Sequence, residues 1–191
     1  MNNVSNFIGI IAGIIAFLNI IPYAISIFQG KTKPSRSAYA IWLIIDIVTA
    51  ASYIASGATT TVWAFLAFAL TTVIIFILSF KYGMGGLHKV DLVCMGLALI
   101  SIITWVATKD PALALYASLA AKLIGYVPIF KKVYLHPGTE NTLAWSMTAF
   151  ASVLNLVALT SLKPEIAIAP ICFAIVDLVI GLRLNFSKVR I

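Results

Sequence analysis

The chain has 191 residues, of which 62% are hydrophobic and only 10% charged, and its mean hydropathy is +1.06. A soluble domain has about a quarter of its residues charged, so a water-covered globular protein is excluded and lipid is the expected solvent. The net charge of +7 does not point to nucleic acid, because the Lys and Arg residues stand in short loops between apolar runs, the distribution that sets membrane topology.

Seven apolar segments follow one another: Asn6–Phe28, Ser37–Ser56, Thr60–Phe80, Asp91–Thr108, Pro111–Phe130, Thr142–Ser161 and Ile166–Phe186. Crossing a bilayer core of about 30 Å takes about 20 helical residues, so each reads as one span of an all-α membrane protein. The first lacks a basic leader and exceeds a signal-peptide core in length, so it is expected to stay in the mature protein. Pro22 removes a backbone donor inside it and bends the helix. Gly9 and Gly13 mark a close-packing face on the same span. Asp110-Pro111 pairs a capping acceptor with a proline at the first helical position, and Pro164-Glu165 repeats the device before the last span. Thr139 or Asn141 is available to cap the sixth. Asp91, Asp110, Glu140 and Glu165 are read as structural, at or near the positive ends of helices. Cys94 and Cys172 are read as small hydrophobes.

Ten of the thirteen Lys and Arg residues fall on one side of this arrangement, among them Lys31, Lys33, Arg36, Lys131, Lys132 and Arg183. Lys109 and Lys163 stand on the other side. The bias puts the C-terminus in the cytoplasm and the N-terminus outside. Across that cytoplasmic side a pattern recurs at an offset of 103 residues: Ile21–Trp42 matches Ile124–Trp145, with Ile21/Ile124, Tyr23/Tyr126, Pro34/Pro137 and Trp42/Trp145 identical. Both copies join the first and second helices of a three-helix unit. The expected architecture is therefore two parallel three-helix repeats, residues 1–80 and 109–191, joined by a linker loop and helix over 81–108 (3+1+3). Three crossings invert the chain's direction, and a fourth helix restores it.

A helix-bending proline at the inner end of the first span, a basic turn, and Trp42 early in the next span resemble the PQ-loop/SWEET superfamily of transporters. The likeness covers the whole chain in layout and about twenty residues per repeat in motif. The Pro-Gln of that family reads Pro22-Tyr23 here, and the second copy reads Gly125-Tyr126 with its proline at Pro128. The resemblance implies a carrier built from parallel repeats with a solute site near the bilayer midplane. It also leaves open a non-transporting receptor or sorting protein on the same fold.

An ionisable side chain at the bilayer centre costs roughly 2.5–3.5 kcal/mol on insertion scales and usually faces the bundle interior. Asp46, Lys122 and Asp177 stand at that depth, with Asn19 and Asn155 beside them, and Asn19 and Lys122 are equivalent positions in the two copies. Asn19, Lys122, Asn155 and Asp177, with Asp46, are the expected substrate-binding residues. The competing reading is a buried ion pair that fixes helix packing, with the asparagines as interhelical hydrogen bonds. Trp42 and Trp145, with Tyr23 and Tyr126, read either as an interfacial aromatic belt or as an inner gate, with Pro22 and Pro128 as hinges. Lys122 is expected to pair with Asp177, because their helices belong to one repeat. Asp46 is then a surplus acid; low dielectric disfavours its charged form, and proton-linked transport follows.

No enzyme motif is present, and His88 and His136 lack metal-ligand spacing, so no catalytic residue, metal or cofactor is expected. The expected function is a carrier, in the cell membrane, for a small polar solute such as a sugar, amino acid or vitamin-like metabolite. Its partners are that solute, the lipid bilayer and protons, with room for a homo-oligomer.

Overall fold

The computed structural model describes residues 2–83, 85 and 89–188. The chain is an all-α, multi-pass membrane protein, with eight α-helices among the described residues: α1 (Asn2–Leu18), α2 (Ile20–Phe28), α3 (Arg36–Ala55), α4 (Val62–Tyr82), α5 (Lys89–Thr108), α6 (Pro111–Leu135), α7 (Thr142–Val157) and α8 (Pro164–Lys188). No β-strand occurs among the described residues. Six apolar spans among the described residues are long enough to cross a bilayer, counting α1 and α2 as one, and α7 is shorter. Most expected boundaries hold within two residues, but the first span starts at Asn2 rather than Asn6 and two further ends move. Helix α6 runs on to Leu135, carrying Lys131 and Lys132 on its last turns, and α7 stops at Val157. His88 and Arg190 lie outside the described residues.

Local chemistry explains the helix ends. Asn141 caps α7 by accepting from the Ala144 N–H at 2.9 Å, and Asp110 accepts from the Ala112 N–H at 2.8 Å. Ser35, which the sequence did not flag, caps α3 through the Ala38 N–H. Gly30 and Gly57, at φ 70° and 79°, end α2 and α3 in the left-handed conformation that glycine adopts without a Cβ penalty.

The break between α1 and α2 falls at Asn19. Pro22 has no N–H to offer the Leu18 carbonyl four residues back, so the helix loosens one turn before the proline. Helix α6 stays helical across position 128, without a break like that at Asn19, and the Pro128 side chain lies outside those described. Helix α8 carries a proline of its own. Pro170 sits inside that helix, fully buried, and leaves the Ile166 carbonyl without its helical donor. The Tyr53 hydroxyl of α3 donates to that carbonyl instead.

Tyr53→Phe is therefore expected to strand a buried acceptor and to destabilise the fold by about 1–3 kcal/mol. Thermal unfolding in detergent would read this; a variant as stable as the parent would show that the carbonyl freed by Pro170 has no need of the hydroxyl.

Helix packing closes a ring. Helix α1 packs on α4, α4 on α3, α3 on α6, α6 on α8, α8 on α7, and α7 back on α1. Helix α5 stands outside this ring against α3 and α6, and it is the least buried of the six long spans. The α1–α4 contact is close because a Cβ on Gly9 would stand 1.8 Å from the Thr60 carbonyl oxygen and one on Gly13 would stand 2.9 Å from that of Trp63. At one end of the ring Arg36 donates to the Phe80 carbonyl at 3.1 Å and Arg183 to the Tyr134 carbonyl at 3.2 Å. These bonds tie the basic end of the bundle together.

Candidate functional site

The ring encloses a central cavity of about 100 Å³, room for several water-sized groups. Its polar wall comes from i, i+3 and i, i+4 faces of four helices: Asn19 and Tyr23 at the α1–α2 break, Trp42 and Asp46 on α3, Lys122 and Tyr126 on α6, and Trp145 and Thr148 on α7. Phe65 and Phe68 of α4 and Phe173 of α8 close it toward the far end. Their rings pack at centroid distances of 5.4 Å (Phe65–Phe173) and 6.2 Å (Phe68–Phe173).

Lys122 is the cation of this wall. Its Nζ lies 2.7 Å from Asp46 Oδ1, and the second Asp46 oxygen accepts from Thr72 Oγ1 at 2.7 Å. The Trp42 ring covers another side of the ammonium, 4.4 Å from its centroid, a cation–π contact in a desolvated setting. The indole is seated where Gly125 leaves space; a Cβ there would stand 2.6 Å from Trp42 Nε1. This corrects the expected pairing of Lys122 with Asp177. Chain adjacency suggested Asp177, but α3 lies against α6 and brings Asp46 into contact first.

Asp177 is fully buried and stands behind the cavity wall rather than on it. Its two oxygens accept from neutral hydroxyls, Tyr126 at 3.1 Å and Ser152 at 2.6 Å. The surplus acid is thus Asp177 and not Asp46. Asn155 does not line the cavity either; it is buried in α7 and its Oδ1 has no hydrogen-bond partner. Asn19 does line it, and donates to Thr148 Oγ1 at 2.8 Å. That bond joins the α1–α2 break to α7, as Asp46 and Lys122 join α3 to α6. One seam carries a neutral pair and the other a charged pair.

A second hollow of about 280 Å³ opens among the loops of the basic end, lined by Lys33, Ser35, Asp91, Cys94 and Glu140 among others. Tyr23, Tyr39, Trp42 and Trp145 line both hollows and form the layer between them. Tyr39 donates to Tyr23 at 2.9 Å, and Trp145 Nε1 donates to Glu140 at 3.0 Å. Tyr126 bridges the tryptophans at 5.7 Å from Trp42 and 6.4 Å from Trp145. Asn141 Nδ2 donates to the Pro22 carbonyl at 3.0 Å, fastening α7 to α2.

Sequence reasoning missed Tyr39, Thr72, Thr148 and Ser152. Tyr39 is three residues before Trp42 and Thr148 is three after Trp145, so helical spacing from the two tryptophans would have found both. Among the described residues no three His, Cys, Asp or Glu side chains gather to hold a metal. Comparisons with family models, curated proteins and solved structures return no match.

Proposed function

We propose that this protein is a membrane carrier that moves a small polar solute by alternating access. The observation that carries this reading is the central cavity, which holds buried charge and is separated from the basic-end hollow by one layer of hydroxyl-bearing and indole side chains. That layer has the composition of a gate: Tyr23, Tyr39, Trp42 and Trp145 can part by breaking single hydrogen bonds and ring contacts.

The packing order supports two parallel three-helix repeats joined by α5. In the first half α4 touches both α1 and α3, and in the second half α8 touches both α6 and α7. Exchanging the halves turns the α1–α7 seam into the α6–α3 seam, so the contacts map onto themselves. This is the architecture of the PQ-loop/SWEET group, and we read the chain as akin to it. The basic end then faces the cytoplasm, with the N-terminus outside.

Proton linkage is part of the proposal, now assigned to Asp177. The acid meets neutral donors only, and Tyr126 connects it to the cavity. The titratable groups facing it are Tyr126 and, farther off, Lys122, both on α6. Helix α7 contributes the Ser152 hydroxyl.

Purified protein in liposomes is the test. Uptake of a solute from a panel of sugars, amino acids and vitamins is expected, and no uptake across the panel would favour the receptor reading. Asp177→Asn is expected to abolish the response of uptake to an imposed pH gradient while exchange of labelled solute continues. Parent uptake that ignores the gradient would sink the proton link alone.

A further inference from the structure

We infer that the solute carries a carboxylate and that Lys122 Nζ is the group that receives it; this deepens the carrier reading and rests on it. An ammonium has three N–H donors. Asp46 takes one at 2.7 Å and the Trp42 ring covers a second direction, which leaves Lys122 a donor toward the cavity that it lines.

The neutral groups of the wall are in a different position. Asn19 is bonded to Thr148, Tyr23 to Tyr39, and Thr72 to Asp46, while the Thr71 hydroxyl, which also lines the cavity, has no partner among the described residues. What these groups still offer a solute is neutral hydrogen bonding, from the second Asn19 N–H and the Thr71 hydroxyl. A carboxylate needs only the spare charge-assisted donor, which forms bonds roughly twice as strong as neutral ones. The remaining walls are aromatic: Trp42, Tyr126 and Trp145 on one side, Phe65, Phe68 and Phe173 on the other. They suit a small, flat or apolar body behind the carboxylate. Both simple organic anions and zwitterions present this group, and they differ in what they offer Asp46. A zwitterion brings its own ammonium to the acid, whereas an anion brings none.

The experiment is a thermal-stability titration of the full chain in detergent with matched pairs: nicotinate, benzoate, lactate and alanine, each against its primary amide, with glucose and choline as controls. At least one carboxylate is expected to stabilise the protein and to bind at least tenfold more tightly than its amide. Alanine binding without the other acids would identify the zwitterion as the source; nicotinate, benzoate or lactate binding would identify the plain anion. Lys122→Gln alone leaves Asp46 unpaired, so the decisive variant is Lys122→Gln with Asp46→Asn, which keeps a hydrogen-bonded pair. It is expected to fold and to lose the carboxylate-over-amide preference. Three results would overturn the inference: no carboxylate binds, glucose or the amides bind as well, or the double variant keeps the preference. Liposome uptake separates the two readings. A carboxylate that binds but is never moved defeats the carrier and spares the site, while transport of a solute with no carboxylate does the reverse.

Discussion

Asp46→Asn is expected to destabilise the protein by about 3–5 kcal/mol and to reduce transport below detection. The reason lies in what is left behind. Lys122 is buried to within a few per cent, and removing the carboxylate leaves its charge in low dielectric with an aromatic face as its main partner. The cost is that of an unpaired buried charge, not of one lost hydrogen bond. Changing both members together, Lys122→Gln with Asp46→Asn, is expected to recover most of the stability, because a buried ion pair and a neutral replacement of similar volume are often close in free energy. Unfolding temperatures of the parent, the two single variants and the double variant in one detergent form the cycle that checks this. Additive losses would show that the two side chains do not act as a pair.

Gly9→Ala is expected to cost about 3 kcal/mol, the upper end of the range for overpacking. The obstacle is backbone: the new Cβ would stand 1.8 Å from the Thr60 carbonyl oxygen. That carbonyl cannot swing away freely, since the Thr60 side chain is itself bonded to the Ala158 carbonyl at 2.7 Å. Helix α1 must instead retreat from α4 and α7 together. Gly96→Ala on α5 makes the control, because a Cβ there meets nothing within 4 Å and alanine favours the helix by roughly 1 kcal/mol over glycine. Equal unfolding temperatures for the two variants would refute the close-packing account of the α1–α4 contact.

Much of the bundle was legible because hydropathy, caps and basic turns are local signals. Gly9 and Gly13 announced a close helix contact, and Asp110 and Asn141 announced helix starts. Depth singled out five polar residues, of which Asn19, Asp46 and Lys122 line the cavity while Asn155 and Asp177 do not. The partner of Lys122 was not legible. Depth and chain order locate a charge along the membrane normal but do not say which helix stands beside it, and here the neighbour belongs to the other half of the chain. Pro170 was passed over for a related reason. An apolar run hides a proline from hydropathy, and the hydroxyl that satisfies the freed carbonyl comes from Tyr53, 113 residues earlier.

The Asp46–Lys122 pair also has a consequence for biogenesis. The two residues are 76 positions apart, so at roughly 5–20 residues per second of synthesis the acid enters the bilayer about 4–15 s before its counter-ion exists. Thr72, only 26 positions on, emerges first and offers a hydroxyl from the neighbouring helix. Until α6 arrives, the nascent α3–α4 hairpin carries an acid with no cation beside it. Ribosomes stalled between residues 82 and 111 would therefore hold a hairpin that the insertion machinery must shelter, and one that a chain extended past Lys122 releases.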